Sequence, residues 1–113
     1  MILQTEIRRE GEVPVLVLSG ELDIGVVGQV VQSLEPLQME RPPVLMLDLR
    51  DLSFMDSSGL RLVLEADMRA RREGRRLVVV RGPEAVHRVF TVAALDKRLE
   101  FVGDPADIGS VRP

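Results

Sequence analysis

The stretch Val44-Leu45-Met46-Leu47-Asp48-Leu49-Arg50-Asp51-Leu52-Ser53-Phe54-Met55-Asp56-Ser57-Ser58-Gly59-Leu60 decides the fold. Its first part, 44–49, is nearly all apolar, as expected of a central strand covered on both faces. Its end opens a helical pattern over about 58–73, with Leu60, Val63, Leu64 and Met68 on an inner face and Arg61, Glu65, Arg69 and Arg72 turned outward. Between them lie a short loop and three small polar residues, Asp56, Ser57 and Ser58. Two hydroxyls therefore stand where a helix exposes unpaired backbone N–H groups and the positive end of its dipole.

Toward the N-terminus, residues 1–9 alternate loosely and read as an edge strand, and Glu10-Gly11-Glu12 reads as a turn. Residues 13–19 are richer in branched side chains and read as a second, more buried strand antiparallel to the first, with Pro14 near its start. Gly20-Glu21-Leu22-Asp23 ends that strand. From Ile24 the period changes: Val27, Val30, Val31 and Leu34 stand at the spacing of one helical face, with Asp23 as N-cap and Pro36 ending or kinking the helix near Glu35.

Toward the C-terminus, Arg69, Arg71, Arg72, Arg75 and Arg76 cluster at the end of the middle helix, where cations favour the negative end of the dipole. Gly74 is a helix stop. Residues 77–80 read as a buried strand. Pro83 sits at a first helical position, and Val86, Val89, Phe90 and Ala93 give a short amphipathic helix with His87 off its apolar face, on the solvated side. Residues 98–102 read as a last strand and 104–113 as a tail. The order β-β-α-β-α-β-α-β, with right-handed crossovers, predicts a single compact α/β domain over 1–113 with a mixed, mostly parallel sheet. Helices that follow strands point their N-termini at one sheet edge, so Asp23 and the 56–59 segment are expected to meet there.

Composition narrows the function classes. The 113 residues suit one core, and with no Trp, no Tyr and three Phe that core is aliphatic. A net charge of −3 and the scarcity of aromatic platforms argue against nucleic acid. The absence of cysteine excludes disulfides and thiolate metal sites and fits a reducing cytoplasm. No apolar run reaches membrane-spanning length, and the N-terminal residues read as a strand rather than a leader. A single His offers no metal cluster and makes a poor base for a serine nucleophile. The Gly-x-Ser-x-Gly elbow and the phosphate-cradling loop are both missing. Pairs such as Asp48 with Asp51, or Asp56 with Asp23, are common by chance among 18 acidic residues. The expectation is therefore not an enzyme, with no catalytic residue, cofactor or metal. Asp56 or Ser57 could be a helix cap and nothing more. Gly59 weakens that reading: glycine in a first turn costs roughly 1 kcal/mol against alanine, and it clears space for a close approach to the backbone.

The segment Leu52-Ser53-Phe54-Met55-Asp56-Ser57-Ser58-Gly59-Leu60 resembles the phosphorylation segment of bacterial anti-sigma factor antagonists, which are small STAS-domain proteins. Gly20-Glu21-Leu22-Asp23 resembles the family's other motif, and the element order agrees over about 3–103. The resemblance implies a STAS-type fold and a partner-switching cycle. In it, the unmodified protein binds an anti-sigma factor that is also a serine kinase of the GHKL ATPase fold, releasing the sigma factor. The kinase phosphorylates the serine matching Ser58, the modified protein leaves, and a PP2C-type phosphatase resets it. The aspartate matching Asp23 assists at that serine, and Asp56, Ser57, Gly59, Leu60 and Arg61 belong to the same partner surface. Arg61 stands where relatives often carry a small or apolar residue, one turn after Ser58 and able to pair with a phosphate. The alternative is a non-phosphorylated STAS scaffold that binds a protein partner or a small anionic ligand.

Overall fold

The structure is a computed structural model and describes residues 2–110. Five strands, β1 (Gln4–Glu10), β2 (Val13–Leu22), β3 (Val44–Met55), β4 (Arg76–Val80) and β5 (Glu100–Val102), lie in chain order across one sheet. The β1–β2 pair is antiparallel and the other three pairings are parallel. Three helices, α1 (Val27–Met39), α2 (Ser57–Arg72) and α3 (Glu84–Val92), fill the crossovers. Consecutive parallel strands joined by right-handed crossovers place every helix on the same side of the sheet. The core divides accordingly. Leu16, Leu18, Leu45, Leu47, Leu49, Leu77 and Val79 meet the helices in one large cluster. Val15, Val17, Met46, Val78, Val80 and Val102 form a smaller one on the far side, where Ile108 of the 3₁₀ segment Pro105–Ser110 packs. The expected cover on both faces of β3 is thus helical on one side only. The final residues of the expected tail, 111–113, lie outside the described residues.

The largest departure from expectation is the length of β3. The expected loop after Leu49 is strand as far as Met55. Leu49, Leu52 and Met55 are all buried in the helix-side cluster, at a spacing of three that a regular strand cannot supply. Two register shifts against β2 reconcile them: Val17 and Ser19 face Asp48 and Asp51, while Gly20 and Glu21 face Leu52 and Phe54. Each shift inserts one extra β3 residue, the signature of a bulge, and each returns the next apolar side chain to the core face. The Ser53 hydroxyl donates to the Gly20 carbonyl at 3.1 Å and pins the second shift. Correspondingly, β2 does not end at Ser19 but continues through the glycine to Leu22. Gly20 takes φ +103°, and a Cβ there would stand 2.4 Å from the Ile2 carbonyl oxygen.

Two helix readings also change. Residues 24–26 are a turn, α1 starts at Val27, and Pro36 sits inside it rather than ending it. Its buried face is Val30, Leu34, Leu37 and Gln38, which leaves Val31 46% exposed. In α2 the buried face is Gly59, Leu62, Val63, Ala66, Asp67 and Ala70, whereas Leu60 and Leu64 are half-buried and Met68 is 39% exposed. Gly59, Ala66 and Ala70 let that helix approach the sheet, beside Leu62 and the expected Val63.

The arginine cluster is held by specific partners rather than by a helix dipole alone. Arg69 donates to Glu35 at 2.8 Å and Gln38 at 2.7 Å, tying α2 to α1. Arg71 joins the buried Asp67 at 2.9 Å and the Arg98 carbonyl at 2.8 Å. Arg75, itself buried, meets Glu73 at 2.6 Å, and this guanidinium holds the Glu73 carboxyl below its ordinary range. Arg76 pairs with Glu100 at 2.7 Å across β4 and β5. Gly74, with φ +71°, ends the segment as expected.

The bulged register makes a direct prediction. Leu52→Ala should cost about 2–5 kcal/mol in urea unfolding, whereas Phe54→Ala, removing a side chain that is 47% exposed, should stay within about 0.5 kcal/mol. A loop conformation for 50–55 would show no such contrast.

Candidate functional site

The site is built where β2 and β3 end side by side. Leu22 and Met55 are register partners, and the Asp56 N–H donates to the Leu22 carbonyl at 3.2 Å. This bond brings the end of β2, and with it Asp23, against the start of α2, as the topology predicts. Asp56 is the N-cap: its Oδ1 accepts from the Ser58 N–H at 2.8 Å and from the Gly59 N–H at 3.4 Å. It satisfies two first-turn donors that would otherwise lack helical partners. Asp23 caps no helix. Its Oδ1 accepts from the Gly25 N–H at 2.9 Å, shaping the turn before α1, and Val26 occupies the cap position without a side-chain bond.

Gly59 is buried and packs inward. A Cβ on it would stand 2.5 Å from Met55 Cγ and 2.9 Å from Leu22 Cδ2. The close approach that this glycine permits is therefore made by the protein's own core, not by a ligand at its surface.

Ser57 is exposed and Ser58 partly so. Both border an open cleft of about 470 Å³ between α1 and α2, together with Ile24, Val31, Arg61 and Glu65. Ser57 also borders a second cleft of about 450 Å³ between α2 and α3, which Leu60, Val89 and Val92 line. Among the candidate residues, then, Ser57, Ser58 and Arg61 share the first cleft, Leu60 faces the second, Asp23 stands at the turn beside Ile24, and Gly59 faces neither. Sequence reasoning missed Ile24, Val27 and Val31. Ile24 is 80% exposed at the mouth of the cleft. Val27 and Val31 look like core residues by spacing; Val27 does pack, partly buried, against the core, Val31 is left exposed, and both line the cleft wall.

Other candidates lie elsewhere. Asp48 is buried on the face away from α1, α2 and α3 and accepts from Arg50 at 2.8 Å; Arg50 also reaches Asp104 at 3.1 Å. Beside these carboxylates the Arg50 guanidinium is held above its ordinary pKa, the Asp48 hydrogen bond being the chief cause. His87 is not on a solvated side: it is 7% exposed and packs on Phe101. Among the described residues no helix is long and apolar enough to cross a membrane, and no group of three His, Cys, Asp or Glu is arranged to hold a metal ion.

The family model described as "Mlab, STAS domain" matches residues 5–103, nearly the whole sheet and all three helices. The chain belongs to the STAS-domain family. Among its STAS relatives, the anti-sigma F factor antagonist of Paenibacillus polymyxa is 34% identical over 98 residues, 86% of this chain and 84% of that one. The anti-sigma factor antagonist SpoIIAA, solved in its unphosphorylated form, superposes with a TM-score of 0.79 at 25% identity, covering 96% of each chain. An anti-sigma factor antagonist from Mycobacterium paratuberculosis has the same STAS fold, with a TM-score of 0.85 at 24% identity over 99% of this chain and 96% of the other.

Two substitutions separate the cap from the close contact. Asp56→Ala should cost about 0.5–2 kcal/mol by loss of the cap. Gly59→Ala should cost about 1–3 kcal/mol by crowding Leu22 and Met55. Urea unfolding of both variants, with the protection of α2 amides, checks the assignment: loss confined to the first turn is expected for Asp56→Ala, and loss across the β2, β3 and α2 contact for Gly59→Ala.

Proposed function

We propose that this chain is an anti-sigma factor antagonist that works by reversible docking, with Ser58 as the phosphate acceptor that turns docking off. The observation that carries the reading is the placement of Ser58: a partly exposed hydroxyl in the first turn of α2, at the wall of an open cleft. The names of its relatives support the role, and the solved state of SpoIIAA, described as unphosphorylated, supports a phosphate-dependent cycle. The docked partner is an anti-sigma factor that is also a serine kinase of the GHKL type, and a PP2C-type phosphatase removes the phosphate. The chain itself is a substrate in this cycle and not an enzyme.

The chemistry of the switch follows from charge. A phosphoserine adds about −1.5 to −2 charge at neutral pH. Two of the first-turn N–H groups are already taken by Asp56, so the phosphate gains from the helix dipole and from Arg61, one turn along the same cleft. Exposed to water on the free protein, the added charge leaves the fold intact. Buried against a partner without a compensating cation, it costs roughly 3–5 kcal/mol, which is about a hundred- to several-thousand-fold in affinity. Ile24, Val27 and Val31 give the same cleft an apolar wall for the partner to cover.

The test is intact mass after incubation with the cognate kinase and ATP. Wild type should gain one phosphate; Ser58→Ala should gain none and keep partner binding; Ser58→Glu should bind about a hundredfold more weakly or worse. Loss of labelling in Ser57→Ala, with labelling retained in Ser58→Ala, would move the acceptor by one residue. Tight binding by Ser58→Glu would remove the switch.

A further inference from the structure

His87 is the only histidine of the chain, and α3 turns it inward. Its ring meets Phe101 of β5 edge-on, with centroids 4.8 Å apart and planes at 85°. It also lies 6.1 Å from Phe90 of α3, and Phe90 meets Phe101 at 5.2 Å. These rings join the last helix to the last strand. The Nδ1 of His87 is buried and has no hydrogen-bond partner among the described residues. A bare imidazole nitrogen can sit in that position in the neutral tautomer that carries its proton on Nε2. The imidazolium cannot do so without cost, because both nitrogens are then donors and a buried donor is left unpaired.

The charges around the ring act in opposite directions, the opposing one being the larger. Arg81 approaches from the loop between β4 and α3 and opposes a second positive charge, while Asp96, in the connection between α3 and β5, favours it. On α3 itself Glu84 and Arg88 border the same cleft as His87 and pair with each other at 3.4 Å. β5 contributes a phenyl ring. Burial first, and Arg81 second, hold the imidazole below its ordinary value of 6.5.

We infer that His87 is a proton-operated latch, which in its neutral form seats α3 against β5 and on protonation releases it. The inference is independent of the role of Ser58. It bears on the same surface, because Ala85, Val89 and Val92 of α3, with Ala93 just after it, wall the cleft that Asp56, Ser57 and Leu60 share. The direction in pH follows from the depressed pKa. The stability contributed by neutral His87 is complete above the unfolded-state value, about 6.5, and is lost as pH falls through the folded-state value. Between those two values the opening of α3 should become about tenfold easier for each pH unit.

The lone imidazole makes the test direct. Proton NMR of the His87 ring from pH 7.5 to 5 gives its titration, and amide-exchange protection factors over the same range give the opening of α3. The expected results are a midpoint below about 6.5, α3 amides that open below the global unfolding limit set by β3, and a pH-dependent loss of their protection that is absent in His87→Phe and in His87→Gln. A midpoint at or above the ordinary value overturns the inference, and the wild-type titration gives this result even where neither variant folds. Exchange of α3 only together with β3, or the same pH-dependent loss in a variant without the imidazole, overturns it as well.

Discussion

The contact on which the rest depends is that of the first turn of α2 with the paired ends of β2 and β3. Gly59 lies so close to Leu22 and Met55 that any side chain there would enter their van der Waals envelope. The bond from Asp56 N–H to the Leu22 carbonyl fixes the same junction from the backbone side. Neither contact is a surface feature, yet together they decide what the surface presents. With Gly59 turned inward, the helical period directs Ser58 and Arg61 toward α1 and Leu60 toward α3. The buried glycine thereby sets the orientation of the hydroxyl beside it.

That junction exists because β3 is longer than its apolar run. An uninterrupted strand would send alternate members of Leu49, Leu52 and Met55 to the wrong face. Bulges against β2 correct the phase twice within a few residues and carry the strand to the edge where Asp56 can begin a helix. The Ser53 hydroxyl and the left-handed Gly20 belong to the same local solution. Sheet irregularity here is the means by which the chain delivers its polar turn to the position where β2 also ends.

Much of this was legible in the sequence. The element order, the hairpin, the parallel sheet, the cap at Asp56 and the stop at Gly74 all follow from local signals whose physics is local. What could not be read depends on contacts made after the chain has folded. The spacing of Leu49, Leu52 and Met55 looks like a loop because a bulge is defined by its partner strand. Pro36 looks like a terminator, yet α1 runs on to Met39. His87 falls outside the apolar stripe of its helix, but Phe101 reaches it from an element that the helix period does not describe. The arginines after Met68 look like a generic response to a helix end, whereas Asp67, Gln38, Glu73 and Glu100 each claim one of them. At the candidate site, Asp56, Ser57, Ser58 and Gly59 stand out by type and spacing. The apolar wall of Ile24, Val27 and Val31 does not, because helix rotation decides which side of a stripe is left uncovered.

The arginine ties hold the domain together at the edge of the sheet where β4 begins, the opposite end from the cleft. The ties between the elements and the exposed lip of the cleft thus involve different residues. Exposed positions around the cleft, such as Ile24, Val31, Arg61 and Glu65, can be exchanged without loosening what keeps the chain compact. A change at one of those positions leaves the ion pairs at the far edge in place, so the lip of the cleft can vary in shape and charge while the sheet and its helices stay as they are.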